Sequence, residues 1–309
     1  MHASTDDFDR ATGGSAPPAH GRALSASVPR PLLFDHMPRC GGTSFTAWLR
    51  AQYAPERTLS LEGRGNAERV AAFAARSESD RFAMELVVGH ASRDVLHLIR
   101  PDMLRITCFR DPVARVDSFY RYVRAERAHI HHEFVMREEL SLAAFARDPR
   151  IPGAQNYFTY QLSRLPREEI ARDPKGAVEA ALAFLAREFD LVGSLARLDR
   201  FAAEVATTAR FPGEYSTKVM PETEPRRTAG FVTRVLRWLR AEPRDVSLSA
   251  PSTRPAIAHL NATDGTRRAP LDADTQAVIC AMNEADIAFF QRIESAAGST
   301  LPGGRCRVV

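Results

Sequence analysis

The sequence has almost no lysine and no long hydrophobic run. Of its 42 basic residues only Lys175 and Lys218 are lysine, so any anion site must be built from arginine, hydroxyl groups and backbone N–H groups. No apolar run approaches the ~18 residues that a membrane span needs, and residues 1–30 contain no continuous apolar segment of the signal-peptide kind. We therefore expect a soluble, cytoplasmic protein without a transmembrane segment.

Cysteine is scarce as well, and its spacing is wrong for pairing. The four cysteines lie far apart and none belongs to a CxxC pair, which argues against a disulfide framework or a zinc knuckle and fits a reducing cytoplasm. The net charge of +4 is spread along the chain rather than gathered in a basic arm. That distribution argues against a nucleic-acid partner. No pattern in the sequence indicates an oligomeric state.

Strand-length apolar runs alternate with helical patterns. The runs lie at 31–36, 85–90, 104–109 and 190–195, and such alternation is typical of a parallel sheet covered by helices on both faces. We expect residues 1–28 to be a flexible tail and 29–309 a single α/β domain. Its predicted fold is a P-loop NTPase-like parallel sheet flanked by helices, with a mostly helical or irregular C-terminal part. Helices are predicted at 43–53, 66–78, 112–127, 141–147, 154–164, 175–189, 196–209, 231–241 and 271–298.

The stretch PRCGGTS at 38–44 stands between the first predicted strand and the first predicted helix. Backbone N–H groups at a helix N-terminus bind phosphate or sulfate, and adjacent glycines let the chain curl around the anion. A capped helix after a glycine turn is an equally common structural explanation. A triphosphate loop needs GxxxxGK[ST], and this loop has no lysine. A cysteine phosphatase would need arginine where Thr46 stands, and a GxGxxG fingerprint is absent.

A second anion site is indicated after the third predicted strand, in ITCFRDPVARVDSFYRYV at 106–123. Arg110 follows the strand, Asp111 and Pro112 are a suitable N-cap and first helical residue, and Ser118 lies two turns into the helix. An arginine at a strand end and a serine on the next helix can hold a phosphate. Alone, the Arg-Asp-Pro sequence is more typical of an ordinary helix start with a salt bridge.

Together, PRxGGTSF and the Arg-Asp-Pro with a serine eight residues after the arginine resemble the two nucleotide signatures of sulfotransferases that use 3′-phosphoadenosine-5′-phosphosulfate (PAPS). The resemblance implies that the first loop holds the 5′-phosphosulfate, and Arg110 and Ser118 hold the 3′-phosphate. The residues assigned to the 5′ loop are Arg39, Cys40, Gly41, Gly42, Thr43 and Ser44. Arg39 stands where that family usually has lysine, and it would stabilise charge on the leaving nucleotide.

Later segments resemble the carbohydrate branch of that family, which includes the heparan sulfate 2-O-sulfotransferases and their bacterial relatives. VVGHAS at 87–92 is similar to a Gly-His element after the second strand, and it nominates His90 as the base that deprotonates the acceptor hydroxyl. His36 is the second candidate base, and His97 the third. The residues nominated for acceptor binding are Gln155 and Asn156, and those for a further anion clamp on the nucleotide are Arg267 and Arg268.

A triad of His129, His132 and Glu133 has the helical spacing of a metal site, but solvated polar residues explain it better, and we assign no metal. The sequence predicts an enzyme that transfers a sulfonate from PAPS to a hydroxyl, on a glycan or glycolipid, without a metal requirement. One alternative is another P-loop enzyme, such as a small-molecule kinase using ATP and Mg²⁺. The other is a non-catalytic sulfotransferase-like protein that binds nucleotide.

Overall fold

A parallel β-sheet forms the centre of the computed structural model, which describes residues 28–63, 65–211 and 270–309. Neighbouring strands pair in parallel, in the order β2-β3-β1-β4-β5-β6. The six strands of the described residues are β1 (Leu32–Asp35), β2 (Thr58–Leu61), β3 (Leu86–Gly89), β4 (Leu104–Phe109), β5 (Leu191–Ser194) and β6 (Arg307–Val308). The prediction of an α/β fold with a parallel sheet flanked by helices is confirmed.

Helices cover the two faces of this sheet. In the described ranges they are α1 (Gly42–Arg50), α2 (Asn66–Ala74), α3 (Glu78–Phe82), α4 (Pro112–Ala125), α5 (His132–Arg137), α6 (Leu142–Arg147), α7 (Tyr157–Ser163), α8 (Arg167–Arg172), α9 (Pro174–Glu188), α10 (Leu198–Thr208), α11 (Ala273–Met282) and α12 (Glu284–Ser295). Phe34 of β1 packs with α1 and α10, whereas Leu33 faces α7, α9 and α12 on the other side. Because successive side chains of a strand point to opposite faces of the sheet, β1 contributes to the hydrophobic core on each face.

The four strands that the sequence predicts are all present, and two further strands are not among the predictions. β2 is a four-residue strand of half-buried alternating pattern, and β6 is only two residues long. The half-buried TLSL of β2 and the two residues of β6 carry too weak an apolar pattern to be recognised from sequence, unlike the fully buried four-residue strands β1, β3 and β5. The predicted tail and the predicted helix at 231–241 lie outside the described residues, apart from Val28.

The prediction of one continuous helix over 271–298 is wrong, because the helical conformation is interrupted at Asn283, between α11 and α12. Asn283 has φ −130° and ψ 32°, outside the helical region. Its amide group donates to the carbonyl oxygens of Ile279 and Ala154, both over 3.0 Å, and its Oδ1 accepts the N–H of Asn156. A buried side chain that bonds backbone groups in this way competes with the helical ladder.

The strand order creates a switch point between β1 and β4. After β1 the chain continues to β2, which lies toward one edge of the sheet. After β4 it continues to β5, which lies toward the opposite edge. In open parallel sheets ligands bind outside the carboxyl ends of the strands at such a point. Within the described residues, no helix combines the length and the apolar character needed to cross a membrane.

Candidate functional site

The loop between β1 and α1 occupies the switch point. Gly41 is the N-cap of α1, with φ 80°, and as a glycine it has no side chain to cap the helix. A Cβ at Gly41 would lie 2.4 Å from a methyl carbon of Leu195, so a larger residue would be both strained and crowded. The first N–H groups of a nine-residue helix therefore begin at the carboxyl edge of the sheet, the geometry that favours an anion.

Arg39 connects this loop to α4. Its Nε donates to Ser118 Oγ over 3.2 Å, and its guanidinium lies 4.6 Å from the centre of the Tyr122 ring. Arg110 Nη1 in turn donates to the carbonyl oxygen of Arg39 over 3.2 Å. Burial, reinforced by the nearby positive charge of Arg110, lowers the pKa of Arg39 from its ordinary value. The two segments that the sequence nominates for phosphate binding are thus in direct contact.

The start of α4 holds Ser118 in this position. Asp111 caps the helix by accepting the N–H of Ala114 over 2.8 Å, and Pro112 is the first helical residue, as the sequence predicts. Two turns later Ser118 is buried beside Arg39. The cap and the helix geometry together set where its hydroxyl lies.

Three polar residues form a row on the other side of the loop. The strand register aligns Leu61, Gly89 and Asp35 at the ends of β2, β3 and β1. The next residue on each strand is therefore Glu62, His90 and His36. Adjacent parallel strands lie about 4.8 Å apart, so side chains in such a row can reach one another.

His36 is fixed from three directions. Its Nδ1 lies 3.0 Å from Glu62 Oε1, and its ring stacks on Phe34 with 5.7 Å between centroids and 11° between planes. A Cβ at Gly42 would lie 1.8 Å from His36 Nε2, so the ring abuts the first residue of α1 and requires glycine there. Glu62 is a functional candidate that sequence reasoning missed, because a single glutamate after an unrecognised strand gives no signal.

His90 lies beside His36, with 4.4 Å between the ring centroids. Its Nδ1 is 2.6 Å from the carbonyl oxygen of His36, which can only accept, so Nδ1 carries the proton and Nε2 the lone pair. Burial and the neighbouring His36 lower the pKa of His90 to about 4. His90 is therefore neutral at physiological pH.

A buried ion pair supports the end of β1 beneath the loop. Arg93 Nη1 lies 2.9 Å and 3.0 Å from the two carboxylate oxygens of Asp35, and its Nη2 donates to Gln161 Oε1. Thr107 Oγ1 also donates to the carbonyl oxygen of Asp35, over 2.9 Å. These contacts hold the residue immediately before His36. No pattern in the sequence indicates these contacts, because Arg93 lies 58 positions after Asp35 and Gln161 lies a further 68 positions along the chain.

Cys40 is buried within the loop, and burial raises the pKa of its thiol to about 12. The thiolate nucleophile that a cysteine phosphatase would require is therefore not formed at neutral pH. Thr43 is exposed on the first turn of α1 and Ser44 is buried. Hydroxyl groups thus lie on the first turn of α1, as the sequence predicts.

The nominated acceptor residues make internal contacts. Gln155 Nε2 donates to the carbonyl oxygen of Ala146 over 3.1 Å, and Asn156 Oδ1 accepts the N–H of Asp286 over 3.2 Å. Asn156 also has φ 40°, a left-handed conformation that asparagine tolerates. The two side chains thus connect the segment before α7 to α6 and α12, and their role toward an acceptor stays a prediction.

The remaining nominated residues lie away from the row of strand ends or outside the described ranges. His97 is exposed on the connection between β3 and β4. His132 Nδ1 donates to the carbonyl oxygen of Val123, while His129 precedes α5 instead of sharing a helix with His132. Among the described residues no group of three potential ligands could hold a metal ion. The predicted clamp of Arg267 and Arg268 lies outside the described residues.

Two comparisons with known proteins do not assign the chain to a family. No model of a known protein family matches the chain, and no curated protein sequence matches it significantly.

Proposed function

We propose that the protein is a sulfotransferase that moves a sulfonate group from PAPS to a hydroxyl group, on a glycan or glycolipid. The observation that carries the proposal is the contact of Arg39 with Ser118 and of Arg110 with Arg39, beside the N-terminus of α1. It brings two arginines, a serine hydroxyl and a helix terminus to one switch point. A donor with two separate phosphate groups needs such a pair of adjacent anion sites.

The order of strands supports the finer assignment of a P-loop-type fold. The loop follows the central strand β1, and the second anion-binding segment follows its neighbour β4. The 5′-phosphosulfate would lie against the loop and the N-terminus of α1. The 3′-phosphate would lie toward Arg110 and Ser118.

The chemistry that this arrangement would supply is positioning and charge stabilisation. The acceptor oxygen forms a bond to sulfur while the bond between sulfur and the bridging oxygen breaks, and the electron pair leaves on the 5′-phosphate. Arg39 remains cationic and would stabilise that charge. The acceptor's proton would pass to the histidine pair, whose rings lie at the end of β1 and β3.

Thermal unfolding of the full chain tests the proposal. Saturating 3′,5′-bisphosphoadenosine should raise the melting temperature, since a ligand at a hundred times its dissociation constant stabilises by about 2.7 kcal/mol. ATP with Mg²⁺ should shift it less. A shift with ATP and Mg²⁺ alone would favour a kinase and overturn the proposal. Binding of the bisphosphate without sulfonate transfer from PAPS to any of a panel of glycans, glycolipids and small alcohols would favour a non-catalytic nucleotide-binding protein.

A further inference from the structure

We propose that Glu62 is a positioning residue for His36, and that His36 Nε2, rather than His90, accepts the proton of the acceptor hydroxyl. The proposal rests on the proposed sulfonate transfer, because it names the base of that reaction. It is carried by the contacts of Glu62, by the tautomer they impose on His36, and by the position of the His36 ring against Gly42, the first residue of α1.

Glu62 is held by side chains of α1. Besides His36, Thr46 Oγ1 lies 3.4 Å from Glu62 Oε1, and Arg50 Nη2 lies 3.3 Å from Glu62 Oε2. Burial alone would raise the pKa of Glu62, but the hydrogen bond and charge of His36 and the charge of Arg50 outweigh it, so this pKa is lowered. The carboxylate is therefore ionised at neutral pH and has a fixed direction.

An ionised carboxylate only accepts hydrogen bonds, so Nδ1 of His36 carries a proton, and in the neutral form of the ring the lone pair is on Nε2. This is the arrangement in which an oriented imidazole acts as a general base. Gly42, the first residue of α1, packs against the ring beside Nε2 and Cδ2 and makes room for it. Nε2 thus lies beside the loop that would hold the sulfonate.

His90 has a different environment. Its Nδ1 is held by a neutral carbonyl oxygen, that of His36, and the charge of Glu62 favours a protonated ring less than burial and His36 oppose it. Its low pKa keeps it neutral and makes it a weak proton acceptor. Its hydrogen bond to the carbonyl oxygen of His36 instead holds the backbone of that residue in place.

The charged groups around His36 come from four elements. Glu62 follows β2, His90 follows β3, Arg50 belongs to α1, and Asp35 and Arg93 form the buried pair beneath the ring. Of these, Glu62 is the anion in direct contact with the imidazole. In the reaction His36 Nε2 takes the hydroxyl proton as the oxygen–sulfur bond forms and the bisphosphate leaves with the electron pair of the broken bond.

The test is Glu62→Gln, with Glu188→Gln as the matched control. Glu188 also accepts from an arginine, Arg105, over 3.0 Å, and its side chain is 24% exposed against 28% for Glu62. In Glu62→Gln we expect turnover to fall about tenfold to a hundredfold, with unchanged affinity for 3′,5′-bisphosphoadenosine. Glu62→Asp should restore part of the turnover.

A purely structural role for Glu62 would lower the melting temperature and weaken bisphosphate binding together with turnover, without partial recovery in Glu62→Asp, and that result overturns the proposal. A second measurement does not depend on activity: nitrogen-15 NMR of the full chain, with the His36 signals assigned from His36→Gln. We expect an Nδ1–H tautomer for the neutral His36 ring in the wild type. An Nε2–H tautomer contradicts the proposal even if bisphosphate binding confirms the proposed function. Absence of bisphosphate binding would count against the proposed function alone.

Discussion

Arg39 donates a hydrogen bond from Nε to Oγ of Ser118, over 3.2 Å, although 79 positions separate them in the chain. The bond joins the loop after β1 to α4 across the switch point. It also holds the Arg39 side chain against α4, where its guanidinium lies 4.6 Å from the centre of the Tyr122 ring. The two halves of the nominated nucleotide site are therefore one structural unit.

Arg110→Ala should weaken binding of 3′,5′-bisphosphoadenosine by about tenfold to a hundredfold, because a hydrogen bond to a charged group is worth about 1.5–3 kcal/mol. The same change should leave the affinity for adenosine 5′-monophosphate nearly unaltered, since that ligand lacks the 3′-phosphate. Calorimetric titration of both ligands checks the prediction. Arg137→Ala, on an exposed arginine of α5, is the control. Equal losses for the two ligands would show that Arg110 does not contact the 3′-phosphate.

Arg39→Ala should lower turnover by about a hundredfold or more, since it removes a cation from the leaving group. Arg39→Lys keeps the charge but loses the planar group that spans Ser118 and Tyr122, so we expect intermediate turnover and a lower melting temperature. Steady-state rates with PAPS and thermal unfolding measure the two effects. Wild-type turnover in Arg39→Ala would remove Arg39 from the reaction.

Gly42→Ala should destabilise the fold by about 1–3 kcal/mol, because the new methyl group would overlap the His36 ring. His36→Ala removes the ring, so the cost of Gly42→Ala should be much smaller in that background. Urea unfolding of the wild type, the two single variants and the double variant gives the coupling free energy. Additive effects of the two substitutions would contradict the contact between Gly42 and the imidazole.

Cys40 should resist alkylation by iodoacetamide at pH 7.5 in the folded protein, because burial raises its thiol pKa and excludes the reagent. Cys40→Ala should also retain most of the turnover. Mass spectrometry after labelling in the folded state and in urea checks the first expectation, with the half-exposed Cys280 as an internal reference. Rapid labelling of native Cys40 would contradict the assigned burial.

The sequence predicted those parts of the site that depend on local chain geometry. A strand, a glycine pair and a helix start locate Gly41, and the capping residues Asp111 and Pro112 locate Ser118 two turns later. The sheet order then brings these segments together, as expected for the carboxyl ends of neighbouring parallel strands.

The parts that depend on register were not predictable. Glu62 reaches His36 only because a four-residue strand, β2, aligns Leu61 with Gly89 and so with Asp35. A pattern of TLSL gives too weak a signal to place that strand. The break at Asn283 was missed for a similar reason, because its partners Ala154 and Asn156 belong to a distant segment.

His90→Asn should make the protein less sensitive to acid between pH 6.5 and pH 4. The folded-state pKa of His90, about 4, lies below the ordinary value of 6.5, so in this window the unfolded chain binds a proton that the folded protein does not. Folding is therefore destabilised as the pH falls, by roughly 2–3 kcal/mol across the window for this residue. Asparagine keeps an N–H donor near the carbonyl oxygen of His36 but does not titrate. Urea unfolding at several pH values measures the difference, with His97→Asn, at an exposed histidine, as the control. Parallel stability curves for His90→Asn and the wild type would show that His90 binds its proton equally well in both states.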